Sequence, residues 1–359
     1  MIQLFHPQIY KEEWLEELSK IFDTRWLGQG PKVEEFEKAF GKKFGYGYCL
    51  GVNSGSAALE LAYHLIGIGS GDEVLTAVFT CTATNLPLLH REANINFLDI
   101  NEDFLVNYDD VKKKISNKTK ALVVVNLGGL QVDKRIFTIA KRYGVPVVID
   151  AAQSLGISED YGDYICYSFQ AIKHFTTGDG GMLVVRNKQI YNRAKRLRWF
   201  GIDREAKKRA GWRCVVNHQM AQEIKEAGYK FHMNDIAATL GLIGLKYTDE
   251  ILEYRKTLCE AYMKKLSSYR KICGGSYWLF MILSDERDEL IRYLRENGIE
   301  CDLVQLRNDI FEVFGKKKQE LPNMNRLEDK YFYLPLHSRI TIEDVNYIGE
   351  TFNKWNSKK

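Results

Sequence analysis

The sequence predicts an α/β fold in which a mostly parallel sheet is flanked by helices, followed by a smaller α+β domain. Between residues 46 and 186, short runs rich in Val, Ile and Leu alternate with helical patterns. Such runs are typical of strands that are buried on both faces of a parallel sheet. After residue 234 the pattern changes to longer helical stretches around an apolar strand, which indicates a second, smaller domain.

The predicted elements follow the apolar runs and the residues that end them. Strands are predicted over residues 46–51, 73–78, 95–98, 121–126, 145–150, 164–168 and 182–185, and a helix over residues 134–143, ended by Gly144. The second part predicts a helix over about 234–266, a strand over 277–283, a helix from about 284 to 297, and a last helix that opens at Thr341 with Asp344 as a near capping box. We expect a large domain over residues 1–245, including a polar excursion at 203–228, and a small domain over residues 246–359.

Composition excludes several classes of function. The net charge of +4, from 51 basic and 47 acidic residues, does not favour a nucleic-acid binder. The seven cysteines are scattered without a CxxC pair, which predicts reduced thiols and no zinc site or disulfide framework. The sequence shows neither a signal-peptide pattern at its start nor a membrane-spanning apolar stretch, so we expect a cytoplasmic protein.

Residues 53–61 are compatible with a phosphate site at the start of a helix. An apolar strand meets small residues here, and a helical pattern follows at once. The first turn of a helix presents free backbone N–H groups and the positive end of the helix dipole. Gly55 would let the chain approach a ligand, and the Ser54 and Ser56 hydroxyls could donate to phosphate oxygens. Taken alone, the pattern is better explained by a plain serine N-cap.

Two ionisable residues lie where a sheet of this kind binds ligands. Asp150 ends an apolar strand, although taken alone it is better explained as an acidic helix N-cap. Lys173 lies in a loop between two apolar strands, close to a glycine cluster at 178–181. Because lysine is usually a surface residue, a lysine with the neighbours Ile172 and His174 indicates a function.

Together, the three features are the parts that a pyridoxal-phosphate (PLP) site requires. The lysine would form the Schiff base, the acid would keep the pyridine nitrogen protonated, and the helix start would hold the phosphate. No GxGxxG motif follows a strand, and no GxxxxGK[ST] motif occurs. The sequence therefore disfavours dinucleotide and P-loop sites.

The order of these motifs resembles the DegT/DnrJ/EryC1/StrS family, PLP-dependent enzymes that mostly aminate keto groups of nucleotide-linked sugars. The resemblance covers nearly the whole chain, through residues 26–37, 54–59, 150–153, 168–181, 228–235 and 333–337. It implies the aminotransferase fold called fold type I. It also implies a homodimer with shared active sites, in which segment 228–235 serves the cofactor of the neighbouring subunit.

The resemblance implies a role for each matching position. Lys173 would be the Schiff-base lysine and the proton shuttle, Asp150 would bind the pyridine nitrogen, and Gln153 would lie near the ring and its 3-hydroxyl. The phosphate would be held by a group of residues at the helix start and the neighbouring strand end: Gly55, Ser56, the backbone of Ala57, and Ser168.

The sequence departs from the family pattern at three positions. Cys81 stands where the family usually has an aromatic residue that stacks on the cofactor, and Phe79 lies two residues earlier. Lys230 replaces an asparagine that binds phosphate, a role that a lysine can keep as a point charge. His174 replaces the common asparagine after the Schiff-base lysine. These changes bear on the substrate more than on the chemistry.

The sequence therefore predicts transamination. Glutamate or glutamine would donate the amine, leaving pyridoxamine phosphate, and a keto group on a nucleotide-linked deoxy sugar would receive it. Some relatives are dehydratases with histidine in place of the lysine, so the presence of Lys173 favours transamination. Arg204 and other basic residues of the excursion either meet the nucleotide diphosphate or form a solvated loop.

Two alternatives to this function stay open. The acceptor could be a keto-inositol or a small phosphorylated ketone. The chain could also be a non-catalytic, PLP-binding regulator or sensor, although the intact Lys173 and Asp150 argue against that.

Overall fold

A seven-stranded, mostly parallel sheet forms the centre of the molecule. The computed structural model describes residues 1–157, 159–204 and 224–358. The strands of the sheet are β1 (Tyr48–Val52), β2 (Glu73–Ala77), β4 (Asn94–Leu98), β5 (Thr119–Val125), β6 (Val147–Asp150), β7 (Tyr164–Ser168) and β8 (Gly181–Val185), and β3 (Phe79–Thr80) lies outside it. Their order is β1-β8-β7-β6-β5-β2-β4. Strand β8 runs antiparallel to both of its neighbours, and the other pairs are parallel.

Both faces of this sheet are covered by apolar packing. Along β5, Leu122 and Val124 belong to one buried cluster, while Ala121 and Val123 belong to another on the opposite face. This arrangement explains why the strands appear in the sequence as continuous apolar runs. The surrounding helices are Lys11–Thr24, Pro31–Phe44, Gly55–Ile66, Thr82–His90, Tyr108–Lys114, Arg135–Tyr143, Lys188–Leu197 and Asp235–Lys246, with a 3₁₀ turn at Leu127–Gly129.

A three-stranded antiparallel sheet organises the second part of the chain. It consists of β9 (Arg270–Ile272), β10 (Phe280–Leu283) and β12 (Tyr331–Leu334) in the order β12-β10-β9. The helices here are Thr248–Lys265, Arg287–Glu296, Pro322–Leu327 and Ile342–Ser357, with 3₁₀ turns at Asn308–Ile310 and Glu312–Phe314. A separate buried cluster, which includes Leu258, Phe280 and Phe332, joins this sheet to its helices.

Three predicted elements of the second part need correction, and one is confirmed. The predicted helix over 234–266 is two helices that meet at Tyr247, whose φ and ψ of −92° and 4° are not helical. The strand predicted over 277–283 begins at Phe280, and the helix predicted from 284 begins at Arg287. The capping box of Thr341 and Asp344 is present at the start of the last helix.

We propose a large domain over residues 1–245 and a small domain over residues 246–359. The helix Asp235–Lys246 packs on the helices Pro31–Phe44 and Lys11–Thr24 of the first part, whereas the helix Thr248–Lys265 packs on Ile342–Ser357 of the second. A two-stranded sheet of β3 and β11 (Leu306–Arg307) ties the two parts together. Most of the predicted excursion, residues 205–223, lies outside the described residues. No helix within the described ranges has the length and apolar character needed to cross a membrane.

Candidate active site

A cavity of about 370 Å³ lies at the carboxyl ends of β6 and β7. Its lining includes Asp150 from the end of β6, Ser168 from the end of β7, and Lys173 from the loop that follows β7. Parallel α/β sheets bind ligands at this edge, and the volume lies within the range of roughly 300–1,000 Å³ that is typical of small-molecule sites. The cavity is therefore the candidate active site.

The helix Gly55–Ile66 presents its first turn to this cavity. Ser54 caps the helix, and its Oγ accepts a hydrogen bond from the Ala57 N–H at 3.0 Å. Gly55 and Ser56 line the cavity within the first turn, where backbone N–H groups have no partner inside the helix. Gly55 also permits close packing, because a Cβ there would lie 2.8 Å from the Ser168 Cβ. The helix start is suited to binding an anion, although the Ala57 N–H expected to bind phosphate is already taken by the serine cap.

Asp150 is buried and held by two hydrogen bonds. Its Oδ2 accepts from the Thr84 hydroxyl at 2.7 Å, and its Oδ1 accepts from the Ala152 N–H at 3.0 Å. Burial raises the pKa of Asp150, while these two hydrogen bonds and the charge of Lys173 act in the opposite direction. A cationic ring nitrogen placed against this carboxylate would add a further opposing charge and favour its ionised form.

Lys173 is the one cationic side chain among the described residues that line the cavity. Burial lowers the pKa of its ammonium to about 8, although the negative charge of Asp150 acts to raise it. Its Nζ lies 4.1 Å from the centre of the Trp278 ring. A lysine with a pKa near neutrality can act both as a nucleophile and as a base, which is what the predicted cofactor lysine must do.

Gln153 lies in the cavity wall and is fixed from two sides. Its side-chain Oε1 accepts from the Gly128 N–H at 2.7 Å, and its backbone carbonyl accepts from the Ser276 hydroxyl at 2.7 Å. With the carbonyl end of the amide engaged, the amide nitrogen is the group left to donate to a ligand.

The residues at and near the positions that depart from the family pattern do not all line the cavity. Cys81 lines the cavity together with Lys173. Phe79 does not line the cavity of this chain, and its substrate role stays a prediction. Its ring is buried against Phe104 at 5.0 Å and Tyr331 at 4.8 Å, in the core beneath β3.

The substrate role of His174 likewise stays a prediction. Its side chain is buried beside the cavity and not in its lining, and its Nε2 lies 2.7 Å from the carbonyl oxygen of Ser276. Burial and the neighbouring Arg255 charge lower the pKa of His174 well below its ordinary value. This histidine joins the lysine loop to the segment that carries Ser276.

Arg204 and Lys230 lie together outside this cavity. The Arg204 guanidinium is 4.6 Å and the Lys230 ammonium 4.0 Å from the centre of the Trp199 ring. The substrate role predicted for Arg204 is thus not supported within one chain, because its side chain lies at a different cavity, beside Gln29.

Four functional positions were missed from the sequence. Thr84 orients Asp150, and Trp278, Val304 and Gln305 line the cavity from the second part of the chain. Val304 has a φ of 50°, which is an uncommon conformation for a β-branched residue. Strained backbone of this kind often clusters at functional sites. The Oε1 of Gln305 is buried without a hydrogen-bond partner among the described residues, so it can accept from a ligand hydroxyl. Trp278, Val304 and Gln305 lie outside the motifs recognised in the sequence, whereas Thr84 lies three residues after Cys81 in a recognised segment but was given no role.

Comparison with known proteins identifies the family. Residues 8–353 match the DegT/DnrJ/EryC1/StrS aminotransferase family. The chain belongs to this family. It is a PLP-dependent aminotransferase of fold type I, as predicted from the sequence.

Relatives over the full length support this assignment. The chain is 31% identical to the spore coat polysaccharide biosynthesis protein SpsC of Bacillus subtilis (strain 168), with 96% of this chain and 94% of that protein covered. It is 29% identical to GDP-perosamine synthase of Escherichia coli O157:H7, covering 100% and 99% of the two chains. The fold matches the sugar aminotransferase CalS13 of Micromonospora echinospora with a TM-score of 0.90 and 28% identity, over 99% of this chain and 100% of that one. The aminotransferase thus belongs among the sugar aminotransferases.

Proposed function

We propose that this aminotransferase moves an amino group from glutamate or glutamine to the keto group of a nucleotide-linked deoxy sugar, giving an amino sugar. One observation carries the proposal: a lysine with a pKa of about 8 and a buried aspartate share one cavity with a helix start. The relative named GDP-perosamine synthase supports a nucleotide-linked acceptor. The intact lysine and aspartate favour an enzyme over a cofactor-binding sensor.

The residues present fit PLP. The first turn at Gly55 and Ser56, with Ser168 packed against it, would hold the phosphate, and Asp150 would pair with the pyridine nitrogen. Gln153 would donate to the ring hydroxyl. When bound, PLP supplies an aldehyde that condenses with amines and a ring that accepts electrons.

Lys173 would perform the proton transfer. With a pKa of about 8, a useful fraction of its amine is neutral near pH 7 and can take a proton from the α-carbon of the amino donor. Once protonated, the amine of Lys173 can then deliver this proton to the carbon on the other side of the donor's nitrogen. Asp150, anchored by Thr84 and Ala152, would keep its charge against the ring nitrogen throughout.

We also propose that the active enzyme is a homodimer with shared sites. Lys230 does not line the cavity of its own chain. The family resemblance implies that the residue at this position binds the phosphate in the neighbouring subunit. Its ammonium lies over the Trp199 and Phe200 rings, and the Phe200 side chain is exposed. This placement leaves Lys230 available to a neighbouring subunit.

The test is a panel of acceptors offered to the enzyme with PLP and glutamate or glutamine. The panel contains GDP-linked and UDP-linked 4-keto-6-deoxy sugars, a keto-inositol and a small phosphorylated ketone. We expect an amino sugar, detected by mass spectrometry, only from the nucleotide-linked compounds. Lys173→Ala should reduce its formation by at least roughly 10²–10⁴-fold, since the lysine supplies the general base.

Two results would count against the proposal. Turnover of the keto-inositol or the phosphorylated ketone alone would assign a different acceptor. A yellow protein whose absorbance is bleached by neither donor, and which turns over none of the panel, would indicate the cofactor-binding sensor.

A further inference from the structure

Trp278 supplies the aromatic surface next to the cofactor lysine. Among the described residues that line the cavity it is the one aromatic side chain, and it is only 2% exposed. The Lys173 Nζ lies 4.1 Å from the centre of its ring, within the range of a cation–π interaction. The position where the family usually has a stacking ring is occupied here by Cys81, whose side chain has no π face.

We propose that Trp278 is a positioning residue that receives the ammonium of Lys173 whenever the lysine is not bonded to the cofactor. The proposal rests on the proposed function, because it takes Lys173 as the cofactor lysine. In each cycle the amine is released and must stay beside the reacting carbon in order to move a proton. The indole holds the ammonium there through its ring face, so no hydrogen bond has to be broken before the amine reacts.

The segment that carries Trp278 is fixed to the large domain. The Ser276 N–H donates to the Gly129 carbonyl at 3.1 Å, and the Trp278 N–H donates to the Gly128 carbonyl at 3.2 Å. The Ser276 hydroxyl donates to the backbone carbonyl of Gln153, the residue expected beside the ring. The indole is therefore placed by the same residues that shape the cofactor site, although Trp278 is 105 residues away from Lys173 in sequence.

Two further contacts hold the indole itself. Its Nε1–H is directed at the Ile172 carbonyl at 3.4 Å, next to the lysine. The buried Arg255 guanidinium donates to the Trp278 carbonyl at 3.2 Å and to the Leu336 carbonyl at 2.6 Å. A side chain held at both its backbone and its ring is suited to positioning a mobile lysine.

Asp150 does not take the place of the indole as the partner of the ammonium. Its carboxylate oxygens accept from Thr84 and Ala152, and it attracts Lys173 through space. The carboxylate is thus left to the ring nitrogen, and the ring face of Trp278 stabilises the ammonium. Burial lowers the pKa of Lys173 to about 8, and the charge of Asp150 acts to raise it. A cation–π contact with the indole favours the ammonium and would act in the same direction as Asp150.

The experiment measures the titration of Lys173 in the enzyme loaded with pyridoxamine phosphate, in which the lysine is free. Acetic anhydride is applied at a series of pH values, and acetylation of Lys173 is quantified by mass spectrometry. Removal of the ring in Trp278→Met should lower the midpoint by roughly half to one and a half pH units, since the ammonium loses its π partner. Trp278→Phe keeps a ring and should stay closer to the wild type than Trp278→Met does. Trp355→Phe, which removes an indole in the small domain, should leave the midpoint unchanged.

A second measurement applies even if Trp278→Met does not fold. Tryptophan analogues with an increasing number of ring fluorines are placed at position 278, because fluorine weakens the π face with little change in shape. We expect the Lys173 midpoint to fall stepwise with fluorination. Equal midpoints across the fluorinated series, or equal midpoints for Trp278→Met and Trp278→Phe, would overturn the proposal.

Failure of the underlying function is recognised separately. Borohydride reduction of the PLP-loaded enzyme should attach the cofactor to Lys173. Attachment to another lysine would remove the proposed function whatever the Trp278 variants show.

Discussion

At the scale of single residues, the charge of Asp150 depends on a balance between burial and hydrogen bonding. Burial raises its pKa, and the hydroxyl of Thr84 opposes that change. In its proposed role, Asp150 must be ionised to hold a protonated pyridine ring, so the strength of this one hydrogen bond should be visible in the pH dependence of catalysis.

Thr84→Val removes the donor while keeping the shape of the side chain. The pKa of Asp150 should rise further, and the acidic limb of kcat should move to higher pH by about one unit, as expected for a hydrogen bond to a charged group. The measurement is the pH profile of amino-sugar formation. Thr82→Val, in the first turn of the same helix, is the control and should leave the limb in place. An unchanged profile for Thr84→Val would contradict a role of the Thr84 hydroxyl in keeping Asp150 ionised.

Some residues of the candidate site can be recognised in the sequence and others cannot, for a physical reason. Lys173 and Asp150 stand out because charged side chains are unusual beside apolar strands. Trp278, Val304 and Gln305 are unremarkable in the sequence, since an apolar or amide side chain in a small domain is more often a core or surface residue. Only the packing of the second part against the first brings them to the cavity.

At the scale of elements, the start of the helix Gly55–Ile66 depends on the absence of a side chain at Gly55. A Cβ at this position would lie 2.8 Å from the Ser168 Cβ, so one of the two elements proposed to bind the phosphate would have to move. Steric overpacking of this kind costs about 1–3 kcal/mol.

Gly55→Ala should therefore weaken cofactor binding more than it weakens the fold. We expect a rise of roughly tenfold or more in the dissociation constant of PLP, measured by absorbance titration, because the phosphate site loses its close packing. Gly47→Ala is the matched control, as a Cβ there meets no atom within 4 Å. Equal affinities of the two variants would contradict the assigned phosphate site.

The elements themselves were largely predictable. All seven predicted strands of the central sheet are present within a few residues of their expected bounds, because strands buried on both faces leave long apolar runs. The helix boundary at Tyr247 was missed, since the apolar pattern continues through it and no glycine or proline marks it. The late start of β10 was missed because residues 276 and 278 are small or apolar and are compatible with a strand. In the structure, however, their backbone N–H groups donate hydrogen bonds to the carbonyl groups of residues 129 and 128.

At the scale of the whole molecule, a buried glutamate outside the cavity couples stability to pH. Glu159 is buried, and it accepts hydrogen bonds from the side chains of Asn126 and Gln131. Burial raises its pKa from 4.5 to about 7. Between these two values the folded protein binds more protons at this site than the unfolded chain, so the free energy of unfolding falls as pH rises.

Glu159→Gln should remove this dependence, because the amide resembles the protonated acid and does not titrate. Relative to the variant, the wild type should lose roughly 3 kcal/mol of unfolding free energy as pH rises from about 4.5 to above 7. Urea denaturation at a series of pH values measures this difference. Glu253→Gln on the exposed face of a helix is the control, expected to follow the wild type. A constant difference between wild type and Glu159→Gln across this range would contradict the burial argument.

In the proposed enzyme, the amine of Lys173 bonds the cofactor while Asp150 faces it across the same cavity. The most direct measurement is borohydride reduction of the PLP-loaded protein, followed by peptide mapping by mass spectrometry, in the wild type and in Lys173→Arg. We expect the reduced cofactor on the peptide that contains Lys173, with no labelled peptide in the variant. A cofactor found on any other lysine, or equal labelling of the variant, would contradict the account.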